Sequence, residues 1–349
     1  MQKPSVIIVN HNGKAFLGEL FDSLLRQTLP ADEVIMVDNA SSDGSVDYVR
    51  REYAWVSVIE SPTNLGFAQG NNLGIETACG DYIALLNSDA VAGEQWLAES
   101  LKALEKDERI AAVVPKIYRA SESSVIECAG AEFNNLGHNW TRGFNEQDRG
   151  QFDEAMEVAA LTACAVMIRR SAIQAEPAFD PDFFMYTEEF DLSLRLRGRG
   201  YRIFYAPSGV VYHKGMKSVE AVSSDSRIFQ QFHCNRNRVK ILTKYYPARL
   251  LIRNLPMICL SLIYWDTVFL FSSGPLRMIR AVTSQIRYAL KGLKERPNGR
   301  IISSAGWLPW MTRHRLRDIL ALRSGRKESE LLLASERLRN AVRPRSGQV

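Results

Sequence analysis

The first 115 residues alternate short, nearly continuous apolar runs with longer amphipathic ones. Residues 5–10 (SVIIVN), 33–38 (EVIMVD), 56–60, 81–86 and 110–115 are short and mostly apolar, and they are followed by Gly, Asn, Asp or Ser. That is the pattern of buried strands. Between them, residues 14–27 place Phe16, Leu17, Leu20, Phe21, Leu24 and Leu25 on one helical stripe. Residues 45–52, 67–78 and 95–106 complete the helices, the second of these in spite of Gly70 and Gly74. Strands without polar alternation, separated by helices, imply an α/β fold with a mostly parallel, twisted sheet covered on both faces.

The pattern then changes twice. Residues 117–157 are polar and rich in Gly, Asn and Ser, which predicts loops with small strands. Residues 158–168 (VAALTACAVMI) are a strong apolar run that carries a strand. Residues 188–197 form a helix with Phe190 and Leu194, and Leu192 and Leu196, at i,i+4 spacing, ended by Gly198 or Gly200. Residues 202–205 and 210–212 read as two strands. From Arg236 the chain is basic and amphipathic, and residues 255–273 (LPMICLSLIYWDTVFLFSS) are mostly apolar with Asp266 inside. The organisation is therefore an α/β domain over 1–235, with a nucleotide-binding part to about 115, and a basic helical region over 236–349. The last twenty or so residues are charged and expected to be poorly ordered.

Charge sharpens this division. The net charge of +5 hides −12 over residues 1–235 and +17 over 236–349, where 23 Lys/Arg face 6 Asp/Glu. A basic tail on an acidic body points to a polyanion, either nucleic acid or an anionic membrane. The tail carries no nucleic-acid motif, so nucleic acid is not expected as a partner. Residues 255–273 approach the ~20 apolar residues of a membrane span, but Asp266 at the centre would cost about 3 kcal/mol. Arg249 and Arg253 precede the segment and Arg277 and Arg280 follow it, leaving no asymmetry to orient a span. A helix lying in the interface, with Tyr264, Trp265 and Phe269 shallowly buried, fits better. A core helix or a dimer interface is the plain alternative. The five cysteines stand singly with no C-x-x-C, which suits a reducing compartment. The N-terminal apolar run is too short for a signal peptide.

Candidate chemistry collects at strand ends. The first strand ends in Asn10-His11-Asn12-Gly13 and the second in Asp38-Asn39. Asn64-Leu65-Gly66 follows the third, and Asn87-Ser88-Asp89 ends the fourth. One such cluster is a turn; four in succession mark a ligand crevice at the carboxyl edge of an open α/β sheet. Neither a G-x-G-x-x-G fingerprint nor a P-loop is present.

The segments SVIIVNHNG, VDNASSDGS, NLGFAQGNN, LLNSDA, FFMYTEEFDLSLR and VYHKG, in that order, resemble family 2 glycosyltransferases of GT-A fold, and among them bacterial rhamnosyltransferases. The resemblance covers about residues 4–250. It implies that Asp38, with Asn10 and Asn12, grips a nucleotide. Asn64, Gly66, Asn72, Asn87 and Ser88 would line the donor pocket, Gly66 by close backbone approach. Asn87-x-Asp89 stands where the family commonly has Asp-x-Asp. Asp89 and His213 would hold Mn2+ or Mg2+ against the donor diphosphate, which supplies the charge that Asn87 lacks. Glu189 would be the general base where many members have Asp, with Glu188 and Asp191 orienting acceptor or loop. The bland reading of these three acids is complementation of a helix dipole. Arg195 and Arg197 are expected on that helix's solvent face, with an Arg195–Asp191 pair at i,i+4 as the alternative. The small residues Thr162 to Ala165 would leave room for an acceptor sugar, and Cys164 has no base nearby in sequence to make it a nucleophile.

The implied reaction is a metal-dependent, inverting transfer from a nucleotide-diphospho-sugar to a lipid-linked or polysaccharide acceptor. It would take place peripherally at the cytoplasmic face of a bacterial inner membrane. The rhamnosyltransferase likeness implies dTDP-L-rhamnose, although no residue separates rhamnose from galactose, glucose or N-acetylated sugars. Asn87 and Glu189 leave room for a catalytically silent relative. A nucleotidyltransferase would need a Gly-rich basic loop after the first strand, which is absent.

Overall fold

The computed structural model describes residues 4–215, 226–296 and Met311. The charged C-terminal segment lies outside them. β1 (Pro4–Asn10), β2 (Glu33–Asn39), β3 (Ser57–Ser61) and β4 (Tyr82–Leu86) run parallel in the order β3-β2-β1-β4. The crossovers are α1 (Lys14–Leu25), α2 (Ser45–Glu52) and α3 (Gly66–Thr77). The register sets Asn10 beside Asp38, so the polar strand ends share one edge. α3 keeps two interior glycines because the packing requires them. A Cβ at Gly70 would come within 2.8 Å of Val9 Cγ1, and one at Gly74 within 2.5 Å of Ile7 Cγ2. Each glycine costs a helix about 1 kcal/mol relative to alanine; here that cost is offset by close packing of α3 on β1.

Beyond β4 the sheet becomes mixed. β5 (Ala90–Ala92), α4 (Trp96–Glu105), β6 (Ile110–Arg119) and β7 (Glu122–Cys128) follow in sequence. β8 (Ala131–Phe133) and β9 (Asn139–Thr141) form a separate pair, followed by β10 (Glu146–Gln147) and β11 (Met156–Glu157). β12 (Ala165–Arg169) inserts antiparallel between β4 and β6, and only this end of the apolar run 158–168 is strand. After α5 (Glu188–Gly198), β13 (Arg202–His213) is one strand where two were expected. It pairs parallel with β6 and slips register between Ala206 and Val210, opposite Pro115 and Lys116. Proline has no N–H for a ladder and is tolerated at such a bulge. The sheet comprises eleven strands among the described residues.

α6 (Ser226–Tyr245), α7 (Ala248–Ser273) and α8 (Pro275–Lys294) complete the described chain. Ile241, Leu242, Tyr245 and Tyr246 belong to the same buried cluster as Ile7, Leu85 and Phe190, so the change of composition at residue 236 does not interrupt the core. α8 packs on α6 at Gly292, where a Cβ would have no room against Lys240 and Thr243. α7 and α8 are inside out. α7 buries Asn254, Ile258 and Ser261 while exposing Ile252, Leu255, Leu260, Ile263 and Phe271. α8 buries Ala281, Gln285 and Gly292 while exposing Leu276, Ile279, Ile286, Leu290 and Leu293. α7 is long and apolar enough over Ala248–Thr267 to cross a membrane by length and composition. Tyr264 is exposed and Trp265 half-buried; the Phe269 side chain lies outside the described residues.

Candidate active site

The loops after β1 and β2 are knitted together. Asn10 Nδ2 donates to Asp38 Oδ1 (3.0 Å) and to Ser41 Oγ (3.1 Å). Asp38 Oδ2 accepts from Ser41 N (2.9 Å), closing an Asx turn. Asn12, in the left-handed region at φ 53°, accepts from Ser42 N at 2.7 Å. The buried Ser88 lies against the same loop, since a Cβ on Gly13 would stand 3.4 Å from Ser88 Oγ. Asn10, Asn12, Asp38 and Ser88 are thus brought together at one edge. Asp38 is already a brace between strands and would add a ligand contact to that duty.

The next loop is committed differently from the expectation. Asn64 Oδ1 accepts from Gly66 N (2.9 Å). Gly66 has φ 75°, and the close approach that it permits is to the backbone of Phe184, whose carbonyl accepts from Phe67 N at 2.7 Å. Asn72 donates to Phe179 O (2.7 Å) and accepts from Phe179 N (2.9 Å). Gly66 and Asn72 therefore hold segment 179–184, which leads into α5, and both polar atoms of the Asn72 amide are engaged there. Their partners lie more than a hundred residues away in sequence, where no local pattern could show them.

β13 runs antiparallel to β5 and sets His213 opposite Ala90. His213 Nε2 lies 3.1 Å from Asp89 Oδ1 and 3.3 Å from Asn87 Nδ2. Two atoms bound cis to one octahedral ion at roughly 2.1 Å stand about 3 Å apart, so this separation suits a shared cation. Half a turn of the Asn87 amide leaves its shape unchanged and brings the carbonyl oxygen to the same point. His213 Nδ1 donates to Glu127 Oε1 at 2.6 Å. A carboxylate behind the imidazole fixes ring and tautomer, the usual support of a metal-bound histidine. Glu127 carries no sequence signal, being one of two acids in β7, 86 residues from His213. Burial pushes the His213 imidazole down, and Cys164, Asp89 and Glu127 more than reverse it, leaving it well above its ordinary value. The same contact places Cys164 beside a base after all. Burial nevertheless raises the thiol, and it stays protonated.

α5 begins under strain. Tyr186 and Thr187 are both left-handed, at φ 67° and 66°, which costs about 1–3 kcal/mol for each such residue. Asn237 of α6 pins the turn, donating to Met185 O (3.0 Å) and Tyr186 O (2.7 Å). Burial pushes Glu189 up to about 7, and Asn139 Nδ2 lies 3.4 Å from its Oε1. Burial, and then the charge of Glu189, push Glu188 well above the usual carboxylate range. A carboxyl near 7 is poised to take a proton at neutral pH.

Asp191 differs from its two neighbours. Its Oδ2 accepts from Arg195 Nε (2.8 Å), and its Oδ1 accepts from Tyr245 Oη (2.7 Å) and Lys244 Nζ (3.3 Å). Buried and fully engaged, it ties α5 to α6 and does not face a substrate. Arg195 and Arg197 are not on a solvent face either; both are buried. Arg195 takes Asp191 and the Pro177 and Ala178 carbonyls, while Arg197 takes Glu157 and the Val158 and Ala159 carbonyls. A planar fork with five N–H groups can satisfy such ends of chain where no water reaches.

Residues 5–175 match the model for glycosyl transferase family 2. Among curated proteins, the chain is 28% identical over 232 residues to the N-acetylglucosaminyl-diphospho-decaprenol L-rhamnosyltransferase of Mycobacterium tuberculosis, covering 60% of this chain and 75% of that protein. It is 36% identical over 101 residues to the poly(ribitol-phosphate) beta-glucosyltransferase of Bacillus spizizenii, covering 27% of this chain and 16% of that protein. Two solved structures share the fold. One is GalNAc-T7 with UDP, GalNAc and Mn2+, at TM-score 0.57, 17% identity, and 71% and 49% coverage of this chain and that one. The other is a mannosyltransferase from Pyrobaculum calidifontis with GDP-Man and Mn2+, at TM-score 0.50, 16% identity, and 87% and 86% coverage. The architecture is that of the GT-A glycosyltransferases.

Proposed function

We propose that this chain, a glycosyltransferase with a family 2 glycosyl transferase domain at residues 5–175, moves a sugar with inversion from a nucleotide-diphospho-sugar to a hydroxyl of a lipid-linked or polysaccharide acceptor. The observation that carries this reading is the Asp89–His213–Glu127 constellation on one fold with a half-buried Glu189 of raised pKa. Asn10, Asn12 and Asp38 hold the nucleotide at the edge where β1 and β2 end. Asp89 and His213 hold Mn2+ or Mg2+, with Asn87 contributing its amide oxygen, and Glu127 keeps His213 facing the site. A divalent cation held there would supply positive charge to the departing diphosphate. Glu189 takes the proton of the acceptor hydroxyl, which attacks the anomeric carbon on the face away from the diphosphate. Glu188, whose carboxyl burial and the charge of Glu189 push above the usual range, orients that hydroxyl or the turn that bears Glu189.

L-Rhamnose as the sugar, and a diphospho-polyprenol as the acceptor's carrier, are supported by the name of the mycobacterial relative. A peripheral place on an anionic membrane, at the cytoplasmic face of a bacterial inner membrane, is supported by the outward apolar stripes of α7 and α8. Arg277, Arg280 and Arg287 are interleaved along α8. The test is a donor panel with dTDP-L-rhamnose, UDP- and GDP-sugars, a lipid-linked acceptor, and Mn2+, Mg2+ or chelator. Nucleoside diphosphate release should depend on metal and on one donor. Release unaffected by chelator would remove the metal site, and no release with any donor and acceptor would remove the reading.

A further inference from the structure

Arg238, on α6, differs from four other buried cations. Lys116, Arg195, Arg197 and Lys240 each lie against at least one carboxylate. Arg238 is 2% exposed and meets no carboxylate at ion-pair distance among the described residues. Its Nη1 donates to the neutral partners Ser261 Oγ (3.0 Å) and His138 Nε2, while Nε and Nη2 have no acceptor. Asp266 lies within electrostatic reach, but its Oδ1 accepts from Gln285.

More buried polar atoms without partners occur in the same place. Among the described residues they are Tyr186 Oη, Thr187 Oγ1, Glu188 Oε2 and Asn235 Nδ2, on residues 186–188 and on α6 one turn before Arg238. Folded proteins leave few such atoms, and each needs a reason. Adjacent residues join them: His138 meets Arg238, and Asn139 Nδ2 lies 3.4 Å from Glu189 Oε1, while Asn237, next to Arg238 on α6, holds the Tyr186 carbonyl. Arg238 and the general base therefore line one buried polar region. Its other wall is the inward face of α7, through Ser261, and the opposite face of α7 is apolar and exposed.

A buried guanidinium with free N–H groups in a fork is matched to a phosphate, which takes two parallel hydrogen bonds and supplies the missing charge. We infer that Arg238 anchors the phosphate or diphosphate ester of the acceptor, replacing its contacts with Ser261 and His138 and presenting the acceptor sugar to Glu189. The ester is that of a prenyl lipid, whose chain has the apolar face of α7 to follow. This deepens the glycosyl-transfer reading and rests on it for the role of Glu189. It concerns a site separate from the Asp89–His213 pair.

The test uses the full chain in detergent with chelator present, which silences diphosphate binding through a metal. Farnesyl diphosphate, inorganic pyrophosphate and farnesol are titrated calorimetrically. Farnesyl diphosphate should bind at least ten-fold tighter than either of the other two. Arg238→Gln should weaken both phosphorylated probes at least ten-fold and leave farnesol unchanged, with Arg238→Lys between. Arg238→Met should melt no lower than the parent, because it removes an uncompensated charge. Unchanged affinity of Arg238→Gln for both phosphorylated probes, or a lowered melting temperature of Arg238→Met with binding intact, overturns the anchor. Equal affinity for pyrophosphate and farnesyl diphosphate overturns the lipid source. Glu189→Gln should bind farnesyl diphosphate normally while transfer is lost. If no donor supports transfer yet Arg238→Gln still loses farnesyl diphosphate, the proposed reaction fails and the anchor stands.

Discussion

Two clusters of buried charge meet at α5 and α6, and they follow opposite rules. In the first, the fully buried Lys240 contacts Asp180, Asp182 and Glu295, Lys244 bridges Asp180 and Asp191, and Lys291 reaches Asp182. Every charge has an opposite. Burial pushes Asp180 up, and Lys244 and Lys240 more than reverse it, to about 2. Asp180, Asp182 and Glu295 are close enough together to hold a metal ion, but three lysines already neutralise them. In the second cluster, Glu188 and Arg238 are buried and Glu189 half-buried with no opposite charge at ion-pair distance among the described residues, and the backbone of Tyr186 and Thr187 is strained beside them. Satisfied charge holds segment 176–183 and α8 onto α5, and is scaffold. Unsatisfied charge and strain are costs that a fold retains where chemistry needs them. Sequence spacing cannot tell the two apart, since Asp191 and Glu189 stand two residues from each other on one helix.

The contrast can be broken most forcefully at its two extremes. Glu189→Gln should lower transfer by about 10²- to 10⁴-fold without lowering the melting temperature at neutral pH; full activity in a transfer assay would remove Glu189 as base. Lys240→Met takes the buried ammonium from Asp180, Asp182 and Glu295, leaving Lys244 and Lys291 to face them, and should cost about 1.5–3 kcal/mol in a denaturant titration, with the site chemistry otherwise intact. A loss below about 1 kcal/mol would place the lysine cluster among exposed pairs. Glu127→Gln should raise the metal concentration for half-maximal activity by about 10- to 100-fold, with nucleotide affinity under chelation unchanged.

The smallest effect is in pH, and it separates the clusters by sign. Asp180 is depressed from 3.8, so its contribution is present above that value and is lost as pH falls toward about 2. Glu189 is raised from 4.5, so it favours the folded state most below that value, and this support is lost as pH rises through about 7. Melting curves across pH for the parent and Glu189→Gln should differ only in the second window. The acid limb of kcat/KM should fall near about 7 for the parent.

Much of the α/β framework was legible because β1, β2 and β4 are runs that a sheet buried on both faces uses, whereas β3, at the edge, is half-exposed. Asn10, Asp38 and Asp89 were legible as residues of one edge, because polar strand ends of a parallel sheet share a side, while His213 was grouped with them only through the family resemblance. What stayed hidden depended on long-range partners. Gly70 and Gly74 look like helix breakers until Val9 and Ile7 are seen beneath them. Asn72 looks like a pocket amide until Phe179 closes on it. Arg195 and Arg197 look solvent-facing because an arginine on a helix usually is, yet α5 is buried on every side. The α8 stripe went unread because Arg277, Arg280 and Arg287 dilute its apolar residues. The spacing of Leu276, Ile279, Ile286, Leu290 and Leu293 carries the signal.

The lysine cluster also bears on how the chain can be divided. Counted along the sequence, residues 1–235 carry −12 and the remainder +17, as though body and tail had separate partners. In the fold, Lys240, Lys244 and Lys291 are counterions of the body's own Asp180, Asp182 and Asp191. A chain cut at residue 235 would keep the acids and discard what neutralises them, along with the core side chains Tyr245 and Tyr246. Protons would have to replace the lysines, so such a fragment should hold together better in acid than at neutral pH. A piece meant to fold must run through Arg296, whose guanidinium still grips the Thr243 and Tyr246 carbonyls.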